Sequence, residues 1–333
     1  MNSSEVSLVA IRPAEKKFAN IVWQVSDVCN YRCSYCNRGN WGGQQPNLDT
    51  KTYIKTLKSL LSQFKEQGYE AFKIFFSGGE PTYWKPLVEI CEFLHSVLDR
   101  PLIAINTNMS RSLNWWETHH HLFRDVVASF HIESANQDNY LRNIKYLQCR
   151  LPYVACRLLM HDERFEEVVK FSERIKVELD NYLIEYAALF DDLLPHSPMH
   201  IYKEKWKADF LETHSYESQR NLDFCMIKDA KSAACLEVYA DGNVEVLNAT
   251  RLISQNRNHF KGWSCSINDS IFINTSGNIR LASCNAGQII GNIADENVKL
   301  LNQPVICPLE VCGCGTDISI PKIRTNKSGG DRA

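Results

Sequence analysis

No run of 18 or more apolar residues occurs in the 333-residue chain, which excludes an ordinary membrane-spanning helix. The opening stretch, MNSSEVSLVAIRPAEKK, lacks the long apolar core and the cleavage site of a secretory signal. The expected compartment is therefore the cytoplasm. An excess of charge is also missing: 37 Lys and Arg stand against 39 Asp and Glu, a net charge of −2. Neither nucleic acid nor a membrane surface is expected as a partner. A disulfide framework is excluded as well, because the 13 cysteines are odd in number and cytoplasmic thiols stay reduced. What remains is a chain with 44% hydrophobic residues, long enough for one large domain and a smaller one.

The cysteines are unevenly spread. Cys29, Cys33 and Cys36 cluster near the start, and seven more, Cys225, Cys235, Cys265, Cys284, Cys307, Cys312 and Cys314, follow late in the chain. Cys91, Cys149 and Cys156 between them read as small core hydrophobes.

From residue 20 to about 190, apolar strands alternate with amphipathic helices. The strands are read at 20–27, 71–76, 102–106, 126–133, 153–160 and 182–189. A helix from about Thr50, capped by Asp49, ends near Gly68. Others are expected around Leu87–Leu98, within Trp115–Phe123, near Asn139–Gln148 and over Phe165–Lys176. Such alternation gives an α/β fold with a parallel sheet, whose functional groups gather at the carboxyl ends of the strands. After about residue 220 the texture changes to two hairpins, Cys235–Asn248 and Ser270–Cys284, each around an Asp-Gly or Ser-Gly turn. The expected organisation is an N-terminal extension (1–19), a sheet domain (20–215), a small hairpin-bearing domain (216–320) and a loose tail (321–333).

The segment SDVCNYRCSYCNRG places Cys29, Cys33 and Cys36 in a C-x3-C-x2-C pattern. Three thiolates hold three irons of a [4Fe–4S] cube and leave the fourth without a protein ligand, where a substrate or cofactor binds. A zinc knuckle with a distant fourth ligand is the alternative. With aromatic Tyr35 before the last cysteine, the motif resembles the signature of the radical S-adenosylmethionine (SAM) superfamily. FSGGEPT (Phe76–Thr82), which follows the next strand, resembles that family's Gly-Gly-Glu-Pro loop.

The resemblance covers roughly residues 20–190 and implies a partial (β/α)6, TIM-like barrel of parallel strands. It implies that the methionyl group of SAM chelates the open iron. An electron from the cluster then yields a 5′-deoxyadenosyl radical, which abstracts a substrate hydrogen. A flavodoxin or ferredoxin is the implied electron donor. Tyr35 corresponds to a residue near the adenine. Gly78 and Gly79 let the backbone approach the ligand, and Glu80 can accept bonds from its ammonium. INTNMS (Ile105–Ser110) resembles a Thr-Asn-Gly segment with Met109 in place of glycine. Asn106 and Asn108 there face SAM or substrate, or simply close the strand. Ser129, His131 and Glu133 alternate on one predicted strand and so share a face. They meet a ligand there or are satisfied structurally. Arg157, a charge on an apolar strand, needs a partner, and the SAM carboxylate or ribose is a candidate. His119–His121 read as surface.

The late cysteines suit a four-cysteine cluster or structural zinc. They resemble the auxiliary-cluster domain called twitch, or a reduced SPASM domain. That resemblance implies a second [4Fe–4S] cluster on Cys265, Cys284, Cys312 and Cys314, with Cys307 in reserve. Six residues rather than four separate Gly277 from Cys284, and the longer SPASM cysteine run is absent, so one auxiliary cluster is expected rather than two. Cys225 and Cys235 read as structural. The expected function is radical oxidation or rearrangement of a small molecule such as a sugar, nucleotide or amino acid. The alternatives are modification of a ribosomally made peptide and, third, a non-enzymatic redox sensor. Only about 20 residues precede the first predicted strand, too few for a leader-binding domain, which favours the small molecule.

Overall fold

A computed structural model describes residues 7–15, 17–36, 46, 48–189, 200–214, 216–218, 235–284, 286–295 and 297–325. Cys225 lies outside the described residues.

The chain starts with strands β1 (Leu8–Pro13) and β2 (Phe18–Gln24). Alternation follows: α1 (Thr50–Glu66), β3 (Ala71–Ser77), α2 (Leu87–Val97), β4 (Leu102–Thr107), α3 (Leu113–His119) and β5 (Asp125–Phe130). It continues through α4 (Gln137–Gln148), β6 (Tyr153–Leu159), α5 (Phe165–Glu178), β7 (Leu183–Ala187), α6 (Lys205–His214) and β8 (Tyr216–Ser218). Shorter pieces complete it: β9 (Cys235–Tyr239), β10 (Val244–Val246), α7 (Ala249–Ser254), β11 (Ser264–Cys265), β12 (Ser270–Ile273) and β13 (Asn278–Leu281). The last are β14 (Ile289–Asn292), β15 (Val305–Ile306), α8 (Gly315–Ile318) and β16 (Lys322–Ile323). Among the described residues no helix is long and apolar enough to cross a membrane.

Strands β2 to β7 pair in parallel and in sequence order, as the alternation predicts. The helices form for the expected local reasons. Asp49 Oδ1 accepts from Thr52 N at 2.8 Å to cap α1, and Tyr53, Leu57, Leu61 and Phe64 on one stripe are buried. One face of the sheet is continuously apolar under those helices: Trp23, Phe76, Ile105, Ala128, Leu158 and Tyr186 are all buried. The other face is polar and half-buried. By register it carries Lys73, Asn106, Asp125, Arg157 and Glu185. A wall of this kind is apolar outward and polar inward. It keeps its core on the helical side.

Three expectations are corrected. The hairpin β12–β13 does not stand apart, because β12 runs parallel to β2 (Ile271 opposite Ile21) and β14 extends the sheet to ten strands. The N-terminal extension does not stand outside the domains, and the tail is not loose where it is described. β1 lies between β9 and β16 in a second, six-stranded sheet, and β16 also pairs with β11. Leu8–Pro13 and Lys322–Ile323 are thus strands of the C-terminal sheet. Cys91 and Cys156 are buried, but Cys149 is exposed at the C-cap of α4, where the helix ends before reaching the core.

Candidate functional site

The cysteine loop leaves the carboxyl end of β2 and is stitched at once to the loop after β3. Val25 N donates to Ser77 O (3.0 Å), Gly79 N to Ser26 O (2.7 Å) and Glu80 N to Val28 O (3.0 Å). The two glycines are required by this contact. A Cβ on Gly79 would stand 2.3 Å from Val28 O, and one on Gly78, whose φ is +119°, 2.5 Å from Ser26 O. Both obstacles are backbone atoms and cannot swing away. The close approach is therefore to the cysteine loop itself. Gly79→Ala is expected to destabilise the fold by about 3 kcal/mol, as forced overpacking does. It should also release iron from a reconstituted protein, which thermal unfolding and an iron assay would show.

Glu80 is 1% exposed and ties this loop to the end of β4. Its Oε1 accepts from Thr82 N (3.1 Å), Thr82 Oγ1 (2.7 Å) and Thr107 Oγ1 (2.7 Å), and Oε2 accepts from Asn108 N (2.6 Å). Burial pushes its carboxyl above the usual range, against those donors. Asn108 then reaches the cysteine loop: Nδ2 lies 2.9 Å from Asn30 Oδ1 and 3.8 Å from Cys29 Sγ. Met109, which stands in place of the glycine of the Thr-Asn-Gly segment that this stretch resembles, takes the left-handed conformation at φ +59°. Its carbonyl is held there by the amides of Asn139 and Asn143 (3.1 and 3.2 Å). Arg111 closes the corner by donating to Thr82 O and stacking 3.7 Å over Tyr83.

β5 ends at Phe130, earlier than its apolar run suggests. His131 O accepts from both Ser134 N and Ala135 N, so the chain turns. Ser129, His131 and Glu133 therefore do not share a strand face. Ser129 stays on the inner face and donates to Asn106 Oδ1 (2.7 Å). His131 and Glu133 instead sit on a loop that grips the cysteine loop. Tyr35 OH and His131 Nδ1 are 2.8 Å apart with nearly parallel rings. Burial pushes the His131 imidazole down to about 4, so it is neutral. Glu133 accepts from Ser34 N (2.7 Å) and Ser34 Oγ (2.6 Å) and pairs with His161. His161 and Arg111 carry no motif that sequence reading would single out, and Ser34 and Thr107 lie inside the two quoted segments without a role having been assigned to them. Arg157 has found its partner in the opposite residue of β7, with Nε 2.6 Å from Glu185 Oε2.

Burial raises the Cys29 thiol, with Glu80 and Cys36 adding to it, and the Tyr31 N–H (3.3 Å from Sγ) opposes. Burial pushes Cys33 up to about 11. Among the described residues no three His, Cys, Asp or Glu side chains converge as around a single metal ion. A four-iron cube takes each thiolate on its own iron, farther apart than the ligands of one zinc. Three soft donors on one loop, with N–H groups aimed at Cys29 sulfur, fit the cube better than zinc.

The late cysteines come together from β11, the end of β13 and the loops before α8. Burial pushes Cys265 up to about 11 and Cys284 up to about 12, and Cys307 raises both further. Cys312 is also raised, first by burial, with Cys284 and Cys314 contributing. The five thiols lie within electrostatic reach of one another in this chain of influences, and no set of four stands out. Among the described residues no three of them converge as around a single metal ion. Cys314 Sγ is 2.8 Å from Thr316 Oγ1. Cys235 is set apart, its Sγ donating to Ser319 O. The hairpin turn also reaches the first site: Thr275 bonds Asp27, two residues before Cys29. His119 and His120, expected on the surface, are partly buried beside α3. A groove lined by Leu141, Arg142, Tyr146 and Arg174 lies between α4 and α5, and none of the predicted site residues lines it.

Residues 23–178 match the family model described as Radical SAM superfamily. Among curated proteins, the GTP 3′,8-cyclase of Haemophilus influenzae (strain PittEE) is 29% identical over 112 residues, 32% of each chain. That of Haemophilus ducreyi is 30% identical over 108 residues, 31% of this chain and 30% of its own. The match thus spans about a third of the length of these relatives. Among solved structures, anSMEcpe with bound AdoMet and Cp18Cys peptide aligns over 84% of this chain and 78% of its own, at 14% identity and a TM-score of 0.49. BtrN in complex with AdoMet and 2-DOIA aligns over 83% and 78%, at 15% identity and 0.39. Streptococcus suis SuiB bound to S-adenosylmethionine aligns over 82% and 61%, at 15% identity and 0.40.

Proposed function

We propose, for a chain whose residues 23–178 carry a radical SAM domain, that it cleaves SAM reductively and directs the radical to a small polar molecule such as a sugar, nucleotide or amino acid. The observation that carries this reading is the interlock of the cysteine loop with Glu80 and Asn108, which fixes three thiols and a carboxylate on one rim of the sheet. When bound, the cluster supplies the electron that breaks SAM, delivered to it by a flavodoxin or ferredoxin.

The chain's own residues have distinct tasks. Cys29, Cys33 and Cys36 hold three irons. Glu80 Oε2 carries a single bond, from Asn108 N, and keeps capacity for the SAM ammonium beside Gly78 and Gly79. Tyr35, locked to neutral His131, offers a ring edge for the adenine. Asn106, Asn108, Ser129 and Arg157 line the inner wall next to it. The polar groups of Asn106, Ser129 and the Arg157–Glu185 pair on that face support a small polar substrate over an apolar one.

Cys265, Cys284, Cys312 and Cys314, with Cys307 in reserve, are assigned in this reading to a second four-iron cluster. Anaerobic reconstitution should then load roughly eight irons. Cys265→Ala with Cys284→Ala should leave about four, with part of the SAM cleavage retained. Four irons in the unaltered protein, with zinc held by the late cysteines, would remove the second cluster from the account. For the substrate, 5′-deoxyadenosine release should rise with a small polar compound that transfers deuterium to it. A rise only with peptides would overturn that part.

A further inference from the structure

Lys322 is 2% exposed, yet it has no carboxylate ion pair among the described residues. Its ammonium donates to three backbone carbonyls, Asp317 O (2.8 Å), Ile318 O (2.9 Å) and Ile320 O (2.7 Å). Three donated bonds use all three protons of an ammonium, and a neutral amine has only two. The group therefore sits in the interior with its full positive charge. Its ring neighbour is Phe260, 4.9 Å from Nζ to the centroid. A buried charge of this kind is expensive unless an anion answers it.

The anion is absent from the carboxylates but present in the cysteines. In the pairing of β11 with β16, Cys265 stands directly opposite Lys322, so the two side chains share a face. Asp317, the nearest acid in sequence, is committed elsewhere: its carboxylate accepts from Ser283 N (3.0 Å) and Ser283 Oγ (2.6 Å), next to Cys284. Four thiolates around a divalent ion or a four-iron cube leave a net negative charge. An ammonium behind the Cys265 strand neutralises part of it.

We propose that Lys322 is the counter-charge of the C-terminal metal–thiolate site and raises the reduction potential of the cluster held there. The inference rests on the assignment of an auxiliary cluster made above. Lys322 touches neither substrate nor iron, so it is a positioning and tuning residue. A purely structural alternative exists, since the three carbonyls belong to the end of α8 and the turn after it, which a lysine can cap. Glutamine preserves much of that capping and removes the charge, whereas arginine preserves the charge.

The test uses the full-length chain carrying Cys29→Ala, Cys33→Ala and Cys36→Ala, so that any iron belongs to the late cysteines. Iron content comes first, then a redox titration followed by electron paramagnetic resonance (EPR), and then iron loss to a chelator. Lys322→Gln and Lys322→Met should shift the midpoint potential to more negative values and speed iron loss about 10–100-fold, as removal of an outer partner does. Lys322→Arg should stay near the unaltered protein. Melting curves identify any variant that fails to fold. Folded Gln and Met variants with unchanged potential and unchanged iron retention would overturn the counter-charge and leave the auxiliary cluster standing. No metal on the late cysteines of the triple variant would overturn the cluster and the counter-charge together.

Discussion

Replacing Cys29, Cys33 or Cys36 singly with alanine is expected to abolish release of 5′-deoxyadenosine from SAM. In the proposed reading each would hold one iron, and the acids and histidine nearest the loop are committed to other partners: Glu133 to Ser34, His131 to Tyr35 and Glu80 to Thr82, Thr107 and Asn108. The loss should exceed the roughly 10–100-fold that follows removal of a group merely supporting a ligand. It should appear as lost iron as well as lost turnover, because the loop keeps its backbone stitches to Gly79 and Glu80 and the fold survives. Assays of 5′-deoxyadenosine, iron content and far-ultraviolet circular dichroism separate the two effects. Turnover that persisted in any of the three would mean that the radical starts elsewhere.

Glu80→Ala is expected to cost about 3–5 kcal/mol of stability, the range for stripping a buried group of several donors. Two backbone N–H groups, of Thr82 and Asn108, would lose their acceptor, as would the hydroxyls of Thr82 and Thr107. The hydroxyls can rotate to other partners. The N–H groups cannot. Glu80→Gln keeps the shape and one oxygen but turns an NH2 towards at least one of those donors, so it should fall between. Urea unfolding of the metal-free protein measures the effect without any assumption about SAM. Wild-type stability in Glu80→Ala would show that the three loops are held by something other than this carboxylate.

The alternating core was readable from sequence because its signals are local. Apolar runs of about five to seven residues separated by amphipathic helices mark β2 to β7, and the structure reproduces their order. Long-range pairing carries no such local mark. β16 has two residues and β1 six, and their antiparallel partnership bridges more than 300 positions of sequence. Likewise the Ser270–Cys284 hairpin announces its own turn but not its parallel edge on β2. At the site, spacing identifies Cys29, Cys33, Cys36 and the Gly-Gly-Glu-Pro loop as belonging together. The links that join them, Asn108 to Asn30 and Ser34 to Glu133, are single polar contacts across loops. The strand end at Phe130 was overrun in sequence because Ile132 continues the alternation that the His131 turn breaks. Met109 is the opposite case. A glycine there would have signalled a left-handed turn, and the turn is kept by Asn139 and Asn143 instead.

The central claim is that the odd number of cysteines leaves one iron open for SAM. It is tested most directly by EPR of the reduced Cys265→Ala, Cys284→Ala protein, in which only the first cluster remains. Adding SAM should change the signal of that cluster, and SAM labelled at its amine with a magnetic nitrogen isotope should couple to it. A cluster that binds, is reduced, and gives the same signal with and without SAM would contradict the account.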